Sequence, residues 1–406
     1  MILAPAALLA AVLLAPSARA AGIDDSDFSN PVLSAQSERG LAVEGRRETG
    51  ARVFALDAAG ASGLAAKPGV VTGRLVLLDR AGVPRPARLA KVRLTGSGAW
   101  TQVADDGSFS LAAAGAGPFR VRVSLDGPKW AFQSDGGDAY EWESAPVASG
   151  ADAGALTPAA GSENAKLGVL HLTYLEALDF LDREATTGWW NKPLAVVWPG
   201  GSDYFSPGQW TLHLTDPLAW DVVLHELGHA VMDGAMDART SGGSHKIDEC
   251  YSDGLAWSEG WASFFAAAVH LSPDDADAKF EFMVPRRAPI RVENVPADVC
   301  PGPASEWRVF AGLWDLYDRH DDGLDRLALG FAPIWKGVTS GTTSSVLDAW
   351  SLVAKGLDPV TRRAAEDAMI QNTLLPVRAA RVRLPRPPKA PGLLFDGART
   401  SELAPE

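Results

Sequence analysis

Cysteine is almost missing: the 406 residues contain two, Cys250 and Cys300. That excludes a framework of several disulfides. In an exported chain the pair is expected to form one bridge, closing a loop around residues 250–300. Basic charge is also short, with 37 Lys and Arg against 50 Asp and Glu and a formal net charge of −13. No basic field is available to neutralise phosphates, so neither a nucleic acid nor an anionic membrane surface is expected as a partner. Beyond the N-terminus no apolar run is long enough to cross a membrane. No cysteine follows the small-residue site Ala18-Arg19-Ala20, which argues against a lipoprotein anchor. Internal repeats are absent. Charged residues make up 21% and hydrophobic ones 47%, an ordinary globular balance that excludes wholesale disorder.

What is present divides along the chain. Residues 1–20 carry an apolar run, Leu8 to Ala15, then Pro16 and the Ala18-Arg19-Ala20 site, and are expected to be a signal peptide directing the chain to a secreted or periplasmic location. Their basic n-region is lacking apart from the terminal amine. Residues 21–67 are polar and Gly/Ala-rich and are expected as a flexible lead-in with one strand near Arg52 to Leu56. Residues 68–145 hold short alternating runs, Val70 to Leu78, Lys91 to Leu94, Gly107 to Leu111 and Phe119 to Val123, separated by turn residues. Such spacing predicts a small β-sandwich. Residues 146–164 are rich in Ala, Gly, Ser and Pro and are expected as a linker. From 165 to 375 the helical period takes over, beginning with Leu167, Leu170, Leu175, Leu178 and Leu181. Strands are expected at Leu194 to Trp198 and Trp210 to Leu214. A helix is expected from Pro217 to Met232 with Asp216 as its N-cap, and others near 256–270, 306–318, 345–355 and 360–372. Eleven of the 14 Trp lie between 189 and 350, so this half should hold the larger core. Residues 376–406 form a Pro/Arg-rich tail.

One motif carries chemistry. His225-Glu226-Leu227-Gly228-His229 is an HExxH. On a helix, residues four apart share a face, so both imidazoles can reach one ion while Glu226 stands alongside as general base. The neighbours Val222, Val223, Leu224, Ala230 and Val231 are uncharged, as a buried helix requires. A catalytic zinc needs a third protein ligand and one open position. The extended HExxHxxGxxH form is excluded, because Met232 and Ala235 stand where it needs Gly and His. Downstream, Glu259 lies in the apolar stretch Ser258-Glu259-Gly260-Trp261-Ala262-Ser263-Phe264-Phe265. A carboxylate there is costly to bury unless paired or coordinated, which makes Glu259 the expected third metal ligand.

With these residues in view, the stretches His225–His229, Gly242-Gly243-Ser244-His245, Ala256 to Phe265 and Glu306 to Asp318 resemble the gluzincins, the thermolysin-like HExxH…E peptidases, in a secreted bacterial form. The resemblance spans roughly residues 165 to 335. It implies an α+β, zincin-like domain, a small sheet followed by a mostly helical half, with one zinc per chain, acting on a peptide or protein substrate. It also implies a sheet edge, here placed at Trp210 to Leu214, that binds substrate backbone by strand addition. Residues 68–145 resemble prealbumin-type, carboxypeptidase-regulatory-like sandwiches, implying a non-catalytic module. The chain departs from the gluzincin pattern at Ser263, where many members place an acid that orients the first histidine. A histidine ligand usually has such an outer partner, and Asp253, Asp315 and Glu306 are the candidates.

His245 is the first candidate for stabilising an oxyanion, before Tyr251 and Tyr317. Asp318, Asp321, Asp322 and Asp325 around Gly323 offer carboxylates suited to calcium, but His320 and Leu329 break the EF-hand pattern, so a solvated acidic turn is the expectation there. The expectation is therefore a secreted zinc metallopeptidase, an endopeptidase by resemblance. Its rivals are a catalytically silent zincin-fold binding or adhesion protein and a zinc amidase acting on cell-wall cross-links. Nothing in the sequence addresses oligomeric state.

Overall fold

The computed structural model describes residues 50–378, apart from 66, 98, 116, 160 and 284–289. The expected signal segment, the lead-in up to residue 49 and the tail from 379 lie outside the described residues. The chain divides after Leu375 into two units, and the first carries everything below.

Ten strands build the first part: β1 (Ala51–Ala58), β2 (Val70–Leu78), β3 (Pro84–Pro86), β4 (Lys91–Leu94), β5 (Thr101–Gln102), β6 (Ser108–Ala112), β7 (Val121–Ser124), β8 (Trp130–Gln133), β9 (Ala139–Glu143) and β10 (Asp152–Pro158). Period-two alternation sends Val92 and Leu94, Val121 and Val123, and Tyr140 and Trp142 inward while their strand neighbours, Ser124 apart, stay at least partly accessible. One leaf runs β5-β4-β7-β9-β1 and the other β6-β2-β10-β1. β1 serves both, pairing in parallel with β9 through residues 51–55 and antiparallel with β10 through 56–58. The stretch 146–164, expected as a linker, thus contains a paired strand. Its Ala155 and Leu156 face Arg74 and Leu75 of β2. Small residues there pack inside a sheet, a use that composition does not distinguish from a spacer.

The sheet does not stop at the sandwich. β8 pairs in parallel with β11 (Leu194–Val197), which pairs in parallel with β13 (Thr211–His213); β12 (Tyr204–Ser206) then adds antiparallel to β13. The expected edge, Trp210 to Leu214, is therefore interior, and β12 ends the order. The chain doubles back through Pro207 and Gly208, where Gln209 and Trp210 donate to the carbonyls of Ser206 and Pro207.

Seven α-helices follow among the described residues: α1 (Lys166–Glu184), α2 (Trp220–Ala235), α3 (Asp253–His270), α4 (Glu306–Tyr317), α5 (Phe331–Val338), α6 (Val346–Lys355) and α7 (Pro359–Gln371). The five leucines predicted on α1 are all buried. α3 is apolar around its whole circumference, and residues 255–268 are buried without interruption, so it runs through the centre of the helical part. α2 starts at Trp220, after an Ala219 cap without a side-chain bond, rather than at Pro217. Asp216 instead accepts from Leu218 N in a turn upstream. Asp221 takes over that end: its carboxylate receives the backbone N–H groups of Val222, Glu281, Phe282 and Met283. Helix α5 and the short parallel pair β14 (Asp237–Ala238) and β15 (Thr342–Thr343) were not foreseen. Cys250 and Cys300 are bonded, with a Cα–Cα distance of 5.3 Å. The bridge ties the approach to α3 to the approach to α4. No helix among the described residues is long and apolar enough to cross a membrane.

Candidate metal centre

The site forms where α2, α3 and α4 meet. Two glycines allow the approach. A Cβ on Gly228 would lie 2.8 Å from Cα of Ala262, and one on Gly260 would lie 2.4 Å from Val309 Cγ1. Glycine at these positions lets α2 press on α3, and α3 on α4, at backbone distance. Trp261 Nε1 fastens the first contact by donating to the Gly228 carbonyl at 3.2 Å.

His225 and His229 project from one face of α2. Their Nε2 atoms are 3.2 Å apart, and each is 3.1 Å from Glu259 Oε2 on α3. Among the described residues these three are the group whose potential metal-binding atoms all come within 4.8 Å of one another. His225, Glu226 and Glu259 are buried, whereas the His229 side chain keeps 16% of its surface and marks the open side.

The outer nitrogens are occupied. His225 Nδ1 is 3.1 Å from Ser263 Oγ, and that hydroxyl donates to Glu306 Oε1 at 3.2 Å. His229 Nδ1 lies 3.3 Å from Ser258 Oγ. With Ser263 donating to the carboxylate, its oxygen accepts from Nδ1–H of His225, which turns the Nε2 lone pair toward Glu259 and His229. Of the three acids considered, Glu306 is the one brought here. Asp253 is exposed at the start of α3, and Asp315, toward the other end of α4, accepts from Asn372 and Gln371.

His245 also reaches the site. It is 8% exposed, its Nε2 is 3.3 Å from Glu306 Oε2 and 3.7 Å from Glu259 Oε2, and its Nδ1 faces the Gly243 carbonyl at 3.1 Å. Burial opposes its protonation, but Glu259 and Glu306 outweigh that and raise its pKa. Burial likewise opposes the charge on Glu259, yet His229 and His245 hold that carboxyl well below the usual range. Glu226 is pushed by burial up to about 8. Tyr251 does not enter the centre: its hydroxyl accepts from Lys246 N and donates to Glu249. Tyr317 donates to the Ala268 carbonyl. No motif pointed to Tyr174 on α1. It is fully buried, its hydroxyl has no hydrogen-bond partner among the described residues, and burial together with the charge of Glu226 raises its pKa well above the usual value.

The acidic loop is not the solvated turn its composition suggests. Asp318 and Asp325 are buried and joined by Asp315 and Glu293, while Asp321 remains exposed. These acids do not form a group of three donors within the spacing seen at the centre.

Two histidines and a carboxylate converge on one point, each histidine held from behind by a hydroxyl, and together they form a group that could hold a metal ion. The N, N, O donor set suits zinc. Residues 183–373 match the mycolysin C-terminal domain family, and the match includes α2, α3 and α4 with His225, His229, His245, Glu259 and Glu306, but not Tyr174. No curated protein matches the chain.

Proposed function

We propose that the chain is a secreted, zinc-dependent metallopeptidase in which His225, His229 and Glu259 hold the ion and Glu226 is the general base. The observation that carries this reading is the convergence of both Nε2 atoms and Glu259 Oε2 within hydrogen-bonding distance in a buried pocket. Zinc held there would polarise a scissile carbonyl and the attacking water. Glu226, one residue on from His225, would take a proton from that water and return it to the leaving amine. His245, whose protonated form is favoured by the two carboxylates beside it, would balance charge on the side of Glu259. A peptide would add its backbone to β12, the terminal strand of the sheet. The bonded cysteines and the family match fit an extracellular setting.

The test is elemental analysis of the purified protein together with digestion of a peptide library. Wild type and Glu226→Gln should each hold one zinc per chain, and Glu259→Ala should hold much less. Cleavage should be lost in Glu259→Ala and fall by about 10²–10⁴-fold in Glu226→Gln. Wild type without zinc after reconstitution would end this reading. Bound zinc without any mapped cleavage would favour the silent binding protein or the cell-wall amidase.

A further inference from the structure

We propose that Glu306 is the positioning residue of the metal centre: through Ser263 it orients His225, and through its second oxygen it holds His245 beside Glu259. The inference rests on the metal-binding reading above and goes beyond it, because it assigns the orienting acid to a different helix.

Ser263 lies one helical turn after Glu259, so both face α2. A serine hydroxyl can accept from His225 Nδ1–H, but it brings no charge to strengthen the bond. Here the charge comes from one layer further out. The hydroxyl hydrogen goes to Glu306 Oε1, so His225 Nδ1, Ser263 Oγ and Glu306 Oε1 form a chain with links of 3.1 and 3.2 Å. A hydroxyl that donates to a carboxylate is a stronger acceptor at its oxygen. The chain is closed to water, with Ser263 0% and Glu306 5% exposed.

Glu306 needs an explanation of this kind. It opens α4, where an acid is favoured by the helix dipole but would ordinarily face solvent. Instead it points inward, and burial raises its pKa while the nearby histidines pull it down. Its second oxygen has no hydrogen-bond partner other than the approach of His245 Nε2 at 3.3 Å. Three features bring it there. Ser305 caps α4 by accepting from Arg308 N, Gly260 lets α4 close on α3, and the disulfide joins the two approaches. One carboxylate therefore supports a metal-facing histidine with one oxygen and a loop histidine with the other.

The test measures zinc affinity by competition with a chromophoric chelator, and thermal unfolding of the zinc-free proteins, for Ser263→Ala, Glu306→Gln, their double variant, and Glu306→Gln combined with Ser263→Asp. Each single change should weaken zinc binding by about 10–100-fold, the range for loss of an outer partner. The double variant should be no weaker than the worse single, because both break one chain. Ser263→Asp should restore most of the affinity to Glu306→Gln by placing the acid directly against His225. Thermal midpoints of the zinc-free proteins that track wild type would exclude simple misfolding. Zinc affinity unchanged in Glu306→Gln, losses that multiply in the double variant, or no rescue by Ser263→Asp would each overturn the assignment. In those cases wild-type zinc binding would leave the metal reading intact, whereas a wild type that binds no zinc overturns both.

Discussion

At the scale of single residues, the missing side chain of Gly228 does as much for the site as the ligands beside it. A methyl group there would meet the backbone of Ala262 at 2.8 Å, which a flexible side chain cannot relieve. Gly228→Ala should therefore force α2 and α3 apart. The expected cost is about 1–3 kcal/mol of stability, typical of overpacking, together with weaker zinc binding as Glu259 withdraws from the histidines. Urea unfolding and chelator competition would measure the two effects. A variant that loses stability but keeps wild-type affinity would show that helix spacing does not set the ligand geometry. The three proposed ligands, which converge here, could be named from the sequence because they are local patterns: the two histidines share one helix face, and Glu259 stands out as one acid in an apolar run. Glu306 could be named but not chosen from Asp253 and Asp315. Its bond to Ser263 spans 43 positions and depends on how two helices cross.

At the scale of elements, sequence periodicity found α1, α3, α4, α6 and α7, α2 with too early a start, and seven of the fifteen strands among the described residues, because alternation and the 3.6-residue period report directly on which side is buried. It failed where pairing partners decide. β10 is built from the small residues of a linker, and β12 rather than β13 became the edge because a turn reversed the chain. The loop after α4 shows the same limit. Its acids read as solvated, yet Asp318 is 1% exposed with one oxygen unpartnered. Burial pushes its carboxyl up to about 8, and Glu293 beside it pushes the same way. Burial also raises Asp325 and Glu293, each to about 7. A carboxyl with a raised folded-state pKa stabilises fully below its unfolded value near 4, and that contribution is lost as pH rises through the folded value. Asp318→Asn should then match wild type in thermal midpoint near pH 4 and exceed it at pH 9, where its unfolding free energy should be larger by on the order of 2 kcal/mol. A midpoint at pH 9 no higher than wild type would show that the loop relieves its charge in another way. Calcium added to wild type would mimic the substitution only if these acids bind it.

At the scale of the whole molecule, the expected division into a sandwich and a separate catalytic domain meets a continuous sheet. β8 belongs to the first and β11 to the second, and they pair over Leu194–Val197 and Trp130–Gln133. The junction is filled by Trp130, which stacks on Tyr174 at 5.4 Å and lies 6.1 Å from Trp190. His171 of α1 is buried inside it. Trp130 Nε1 donates to its Nδ1 at 3.2 Å, Nδ1 also lies 3.1 Å from the Leu125 carbonyl, and Nε2 lies 2.9 Å from the Arg88 carbonyl. α1 is thus fastened to the sandwich segments around it by one neutral imidazole. Burial lowers the His171 pKa to about 4. Its unfolded value is near 6.5, so the unfolded chain takes up a proton first as pH falls. The stabilisation is fully present above about pH 6.5 and is lost as pH drops toward 4, by on the order of 3 kcal/mol. His171→Gln can keep a donor to Arg88 but does not titrate. Its stability, although lower at pH 7, should fall less steeply than that of wild type between pH 6.5 and 4. Denaturant unfolding followed by tryptophan fluorescence would measure both slopes. Because the junction core is shared, sandwich and helical part should melt in one transition at pH 7. Equal slopes would remove His171 as the acid-labile fastening, and two separated transitions would mean that the shared sheet does not couple the halves.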